Sequence, residues 1–127
     1  MSRLVSSTRR VLVVDDYLDS RFVMCVALTM RGHTCDHVGT AGAAIASIAT
    51  FRPDVVLLEW ALRDGSGVGL ALRLRRASVE LGLALRIIAV SSQNEPTGFS
   101  VAEGFESYFS KPVAMDQLDE TLRVAGA

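Results

Sequence analysis

A chain of 127 residues, 50% hydrophobic and 21% charged, is long enough for one domain with a real core and too apolar for a disordered tail. Its 13 basic residues against 14 acidic ones give a formal charge of −1, which supplies no whole-chain field for nucleic acid or an anionic membrane. No apolar run approaches the ~20 residues that span a bilayer, the opening MSRLVSSTRR lacks a signal-peptide core, and Cys25 and Cys35 read as reduced thiols of a cytoplasmic protein.

Arg10 to Val14 turns from basic to wholly apolar, a buried strand running into Asp15-Asp16. Ser20 to Arg31 is apolar-rich and free of Gly and Pro, a first helix capped by Asp19 or Ser20 and stopped by Gly32. His33 to Val38 reads as a short second strand. Thr40 to Phe51 carries Ala44, Ile45, Ile48 and Phe51 at helical spacing, with Pro53 past its end. The third strand, 54 to 59, holds the uninterrupted run Val55-Val56-Leu57-Leu58 and ends in Glu59.

Gly65, Gly67 and Gly69 suggest a flexible loop before a third helix marked by Leu70, Leu74 and Ala77. Arg86 to Val90 is a fourth buried strand. Ser91 to Gly98 is polar and contains Pro96 and Gly98, so a fourth helix there is expected to be short or poorly formed. Ser107 to Ser110 reads as a fifth strand, and a last helix runs from about Met115 to Val124 with Leu118 and Leu122 inward. Strands alternating with helices imply parallel pairing, right-handed crossovers and an α/β three-layer sandwich. No repeat, linker or low-complexity segment interrupts it.

In a parallel sheet all strands end on one edge, the edge where ligands bind in open α/β sheets. That gathers Asp15 and Asp16, Glu59, Ser91 and Lys111. Three carboxylates crowded together repel and need a cation. A hard divalent ion such as Mg²⁺ suits an all-oxygen site, and the Lys111 ammonium is the other positive charge. Each member alone is weak: an Asp-Asp pair is usually a solvated turn. Four strand ends in this order point to a phosphoryl-handling or metal-binding pocket.

With these residues in view the chain resembles the receiver domain of bacterial two-component response regulators, over about residues 9 to 125. The matching pieces are the first strand with Asp15-Asp16, Arg21 eleven residues before Gly32, PDVVLLEWALRDGSG, IIAVSS, Gly104 seven residues before Lys111, and Tyr108-Phe109-Ser110-Lys111-Pro112. The resemblance implies a flavodoxin-like (βα)5 fold with strand order 2-1-3-4-5. It implies Asp15 and Asp16 as metal-binding acids and the Ala61 carbonyl as a backbone metal ligand. It further implies Ser91 as hydroxyl switch, Tyr108 as aromatic switch and Lys111 as the partner of the phosphoryl group. Glu59 falls on the phospho-acceptor position, where the family has aspartate.

The family's reaction, attack of a carboxylate on a phosphohistidine with Mg²⁺ assistance, needs in-line geometry, and a shift of ~1 Å can cost ~10²-fold. Glutamate adds one methylene, of the order of 1.5 Å. Phosphotransfer is therefore expected to be lost or very slow, and Mg²⁺ binding weak or absent. The displaced carboxylate partly imitates the product, which biases the domain toward its active state or leaves a phosphorylation-independent adaptor. The plainer reading is a Glu59–Lys111 salt bridge with no switching. Arg63 stands where the family usually has proline, and the segment from Ser91 to Gly104 is about two residues short, which puts output through the fourth helix in doubt.

The 127 residues are read as one receiver domain with no output domain and no enzymatic activity, so the output is a partner: a histidine kinase, a phosphotransfer protein, a downstream protein or a second copy of the chain. Neither nucleic acid nor membrane is expected. Phe22, Val26 and Met30, at i, i+4 and i+8, form an apolar stripe on the first helix that suits such contact. Two alternatives remain: an ordinary phosphorylated, Mg²⁺-binding regulator that tolerates glutamate, and a Mg²⁺-dependent phosphotransferase or phosphatase built on Asp15, Asp16 and Lys111, against which the lack of a nucleophile other than Glu59 counts. His33, Cys35 and His37 share one face of the second strand, a weak zinc pattern. Arg73, Arg75 and Arg76 read as a solvated face.

Overall fold

The computed structural model of the protein describes residues 7–63, 67–91 and 104–124. Its elements are β1 (Arg10–Val14), α1 (Leu18–Met30), β2 (Thr34–Val38), α2 (Ala41–Thr50), β3 (Val55–Glu59), α3 (Gly67–Glu80), β4 (Arg86–Ser91), β5 (Ser107–Ser110) and α4 (Met115–Arg123). The strands form one parallel sheet in the order β2-β1-β3-β4-β5. This is the expected flavodoxin-like order, reversing direction between β1 and β3. Residues 92–103, where the short fourth helix was expected, lie outside the described residues, as does Gly65.

The central strands β1, β3 and β4 are apolar on both faces because both faces are covered. On one side Leu12, Val14, Val56, Leu58, Ile87 and Ala89 pack against α2 and α3. On the other, Val11, Val13, Val55, Leu57, Ile88 and Val90 pack against α1 and α4 through Leu28, Leu118 and Leu122. All five residues of β3 are buried.

Four local expectations need correction. First, α1 begins at Leu18 rather than Ser20, with Tyr17 at its N-cap and no side-chain cap of its own. The Asp15 carboxylate supplies the cap from the strand end instead, accepting the Tyr17 amide (2.9 Å) and the Ser20 hydroxyl (2.8 Å). Gly32 does stop this helix, at φ +97°.

Second, Gly67 and Gly69 are helical, not a loop. A Cβ on Gly67 would lie 3.0 Å from the Trp60 carbonyl, so glycine lets α3 start hard against the end of β3. Third, β2 starts at Thr34, because His33 is turned into the core margin. Its Nδ1 accepts the Arg9 amide (3.0 Å), which leaves Nε2 as the protonated nitrogen facing Asp119 (2.7 Å).

Fourth, Arg75 is not a solvated residue like its exposed neighbours Arg73 and Arg76. It donates to the carbonyls of Leu85 and Gly104, tying α3 to the turns before β4 and β5. Arg10 does comparable work at Phe51, where α2 ends, and Arg9 and Arg86 both reach the Leu122 carbonyl in the last turn of α4.

Candidate functional site

Alternation along the strands decides which side chains meet. Val11 and Val13, Val55 and Leu57, and Phe109 all face the α1/α4 layer. Continuing the period of two brings Asp15, Glu59 and Lys111 out at the carboxyl edge on that same side.

There Lys111 Nζ lies 2.8 Å from Asp15 Oδ2 and 2.8 Å from Glu59 Oε1, and donates to Ser20 Oγ at 3.1 Å. Ser20 Oγ donates in turn to Asp15 Oδ2, closing a triangle that joins two strand ends to the first turn of α1. Asp15 is 5% and Glu59 8% exposed, so these are ion pairs in a low dielectric. The second Glu59 oxygen accepts the Ala61 amide at 3.3 Å.

Burial works against the charge on Asp15, but the bonds from Lys111, Tyr17 and Ser20 outweigh it and hold its pKa below the ordinary carboxylate value. Burial likewise works against the Lys111 ammonium, and its two carboxylate partners, Asp15 and Glu59, more than compensate, so its pKa is raised. The cavity left among Val14, Asp15, Ser20, Glu59 and Lys111 is about 20 Å³, room for roughly one water.

Asp16 stands apart from this triangle. Its Oδ2 accepts the Arg63 amide at 2.9 Å, and the Arg63 guanidinium lies 3.6 Å away, over the Tyr17 ring. The carboxylates of Asp15, Asp16 and Glu59 with the Ala61 carbonyl are the all-oxygen donor set a hard divalent cation takes. The donor chemistry fits Mg²⁺. Each carboxylate is turned to a protein cation or amide, and no group of three metal-ligating side chains converges among the described residues, so an entering ion would have to displace those partners.

Ser91 is buried at the end of β4, where its carbonyl accepts the Lys111 amide at 2.7 Å. Tyr108 is half-buried on β5 and packs toward the α2/α3 core. On α1, Phe22 is 54%, Val26 42% and Met30 82% exposed. Leu18 and Val23 are exposed too, so the apolar surface is wider than the stripe read from sequence. Cys25 turns to Cys35 of β2, and burial raises the pKa of both thiols. His37 is held by Arg21 and Phe22. Beside Lys111 opens a groove of about 450 Å³ lined by Ser20, Val23, Met24, Ala27, Val113 and Met115.

Sequence reasoning missed Ser20 and Arg63 as members of the site. Ser20 was legible in principle, as a hydroxyl one turn beyond a carboxylate that precedes a helix.

A family model for the response regulator receiver domain matches residues 11–123. The phosphate regulon transcriptional regulatory protein of Pseudomonas aeruginosa is 29% identical over 115 residues, covering 91% of this chain and 50% of that protein. The chain thus spans about half the length of the curated relatives it matches, and a relative named as a transcriptional regulator leaves the expectation of no nucleic-acid partner without support. A receiver domain structure from Methylobacillus flagellatus aligns with a TM-score of 0.78 at 27% identity, covering 91% of this chain and 96% of that one. The structure of a Saccharomyces cerevisiae histidine phosphotransfer signaling protein with the receiver domain of its downstream response regulator aligns with a TM-score of 0.77 at 17% identity, covering 91% of this chain and 86% of that one, a likeness of fold.

Proposed function

This chain belongs to the response regulator receiver domain family, and from that premise we propose that it signals by protein–protein contact without being phosphorylated, Glu59 holding the phospho-acceptor position. The observation that carries this reading is the 2.8 Å contact between Glu59 Oε1 and Lys111 Nζ. In the family that lysine pairs with the phosphoryl group once it has been transferred. Here the Asp15 and Glu59 carboxylates already share the ammonium, which is the partner a phosphoryl group would need. The imitation is partial, because a carboxylate brings one charge and two oxygens where a phosphoryl group brings about −1.5 to −2 and three.

In this reading Ser91 and Tyr108 are the switch pair, set by sequence. Asp15, Asp16, Glu59 and the Ala61 carbonyl are the groups that would hold Mg²⁺, which when bound supplies charge neutralisation at the acceptor. The domain acts alone or as the receiver part of a longer regulator. Its partner is a histidine kinase, a phosphotransfer protein, a downstream protein or a second copy, docking on the face that carries Phe22, Val26 and Met30. Among the described residues, no nucleophile beside Glu59 supports an enzymatic role.

The test is incubation with acetyl phosphate and Mg²⁺, followed by intact mass. The expected result is no phosphoryl adduct. A stable, acid-labile phosphoprotein formed by the wild type and lost in Glu59→Gln would overturn the proposal.

A further inference from the structure

The pocket's three carboxylates meet two cations from within the chain. Lys111 bridges Asp15 and Glu59, and Asp16 has a cation of its own in Arg63. We infer that Arg63 is an internal counter-ion that competes with divalent cations for Asp16 and so sets how weakly the pocket binds metal. This rests on reading the site as a receiver pocket, and it goes further by naming a residue that controls the site's metal affinity.

Three contacts hold Arg63 in place. Its amide donates to Asp16 Oδ2 at 2.9 Å, so the backbone and the side chain of one residue converge on one carboxylate oxygen. Its Nε lies 3.6 Å from that oxygen. Its guanidinium carbon sits 5.3 Å from the centre of the Tyr17 ring, and a face-on aromatic platform favours a cation there. Tyr17 is itself anchored through its amide to Asp15, so the platform is tied to the same strand end as the carboxylates.

A metal ion approaching Asp16 must displace the guanidinium or share the oxygen with it. Either costs Coulomb energy, because two cations on one carboxylate repel. The side chain of Arg63 is 75% exposed, so the competition is modest and screened by salt, and it acts on affinity without abolishing binding.

Mg²⁺ binding is measured by calorimetry and by the fluorescence of Trp60, which adjoins Glu59, on the wild type, Arg63→Ala, Arg63→Gln, Arg63→Lys and Arg63→Ala combined with Asp16→Asn. Arg63→Ala and Arg63→Gln are expected to bind roughly threefold to fivefold more tightly than the wild type at low salt, as the loss of one exposed charge pair implies. Arg63→Lys should stay near wild type, the gain should shrink at high potassium chloride, and Asp16→Asn should erase it. Equal affinity of wild type and both neutral variants, or no measurable Mg²⁺ binding by either neutral variant, would overturn the inference. So would a gain that survives Asp16→Asn, or one that Arg63→Lys shows as fully, since each would mean a loop effect and not charge. Failure here leaves the proposed function standing, because phosphorylation of Glu59 is read separately by mass. A phosphorylated wild type would in turn refute that function without touching the Arg63 comparison.

Discussion

Lys111→Met keeps the apolar stem and removes the ammonium, so it tests whether the triangle at the sheet edge is a real electrostatic unit. In the wild type one Nζ sits 2.8 Å from each of two carboxylates that are 5% and 8% exposed. Among the described residues no other cationic side chain pairs with either, so the variant leaves two buried, mutually repelling charges. Removing one partner of a buried pair costs about 3–5 kcal/mol. Lys111 is 27% exposed and water can reach the gap, which places the expected loss near 3 kcal/mol, or on the order of 10 °C in Tm for a domain of this size.

The pH dependence has a definite sign. Asp15 has a lowered pKa in the folded protein, so its contribution is complete above the unfolded value of about 3.9 and is lost only as pH falls through the lower folded value. Lys111 has a raised pKa, so its contribution is complete below about 10.4 and is lost as pH rises through the higher folded value. Across pH 5 to 7 the network of the wild type is therefore intact. In Lys111→Met the Asp15 carboxylate loses its strongest lowering partner and keeps only the Tyr17 and Ser20 bonds against burial and repulsion, so Asp15 takes up a proton more readily and the deficit shrinks from pH 7 to pH 5. Urea denaturation followed by circular dichroism at both pH values measures this. A deficit below about 0.5 kcal/mol, the range of ordinary surface changes, or one equal at the two pH values, would refute the reasoning.

Glu59→Asp withdraws the carboxylate by about 1.5 Å and breaks its contact with Lys111. It is expected to gain a phosphoryl adduct from acetyl phosphate with Mg²⁺, and an unmodified mass would show that the extra methylene is not what blocks transfer. Arg75→Ala leaves the carbonyls of Leu85 and Gly104 without their donor and should cost about 2 kcal/mol in chemical denaturation, whereas Arg73→Ala should stay within about 0.5 kcal/mol; equal effects would refute the clamp. Phe22→Glu combined with Val26→Lys should leave the fold intact by circular dichroism and weaken binding to the cognate kinase or phosphotransfer protein, or lower self-association in sedimentation. If neither changes, the α1 face is not the partner site.

The sheet was readable because β1, β3 and β4 are buried on both faces, so three apolar runs stand out whatever surrounds them, and the ends of parallel strands must share an edge. That logic alone gathered Asp15, Glu59 and Lys111. Boundaries failed where a distant group did the local work. The start of α1 was misplaced because its cap is Asp15 on the preceding strand end, and local capping signals at Asp19 and Ser20 pointed two or three residues too far. Gly67 was read for flexibility, yet its use is close approach to the Trp60 carbonyl, which no local pattern reveals. Arg75 was invisible for the same reason: helical spacing sets it beside two solvated arginines, and only the turns before β4 and β5 give it acceptors.

These long-range contacts also decide what the site can influence. Lys111 does not hold Glu59 in isolation, since the same ammonium donates to Ser20, and Ser20 with Tyr17 hangs from the Asp15 carboxylate. A rearrangement that moves the Lys111 ammonium out of the triangle therefore removes a bond from the first turn of α1. The groove beside Lys111 is lined by that helix at Ser20, Val23, Met24 and Ala27. The acid at the tip of β3 and the apolar face of α1 are thus two ends of one bonded path: Glu59 to Lys111, Lys111 to Ser20, Ser20 to the helix. In the proposed reading, a carboxylate built into the sequence would keep that path closed continuously, whereas a phosphoryl group would close it only while the modification lasts.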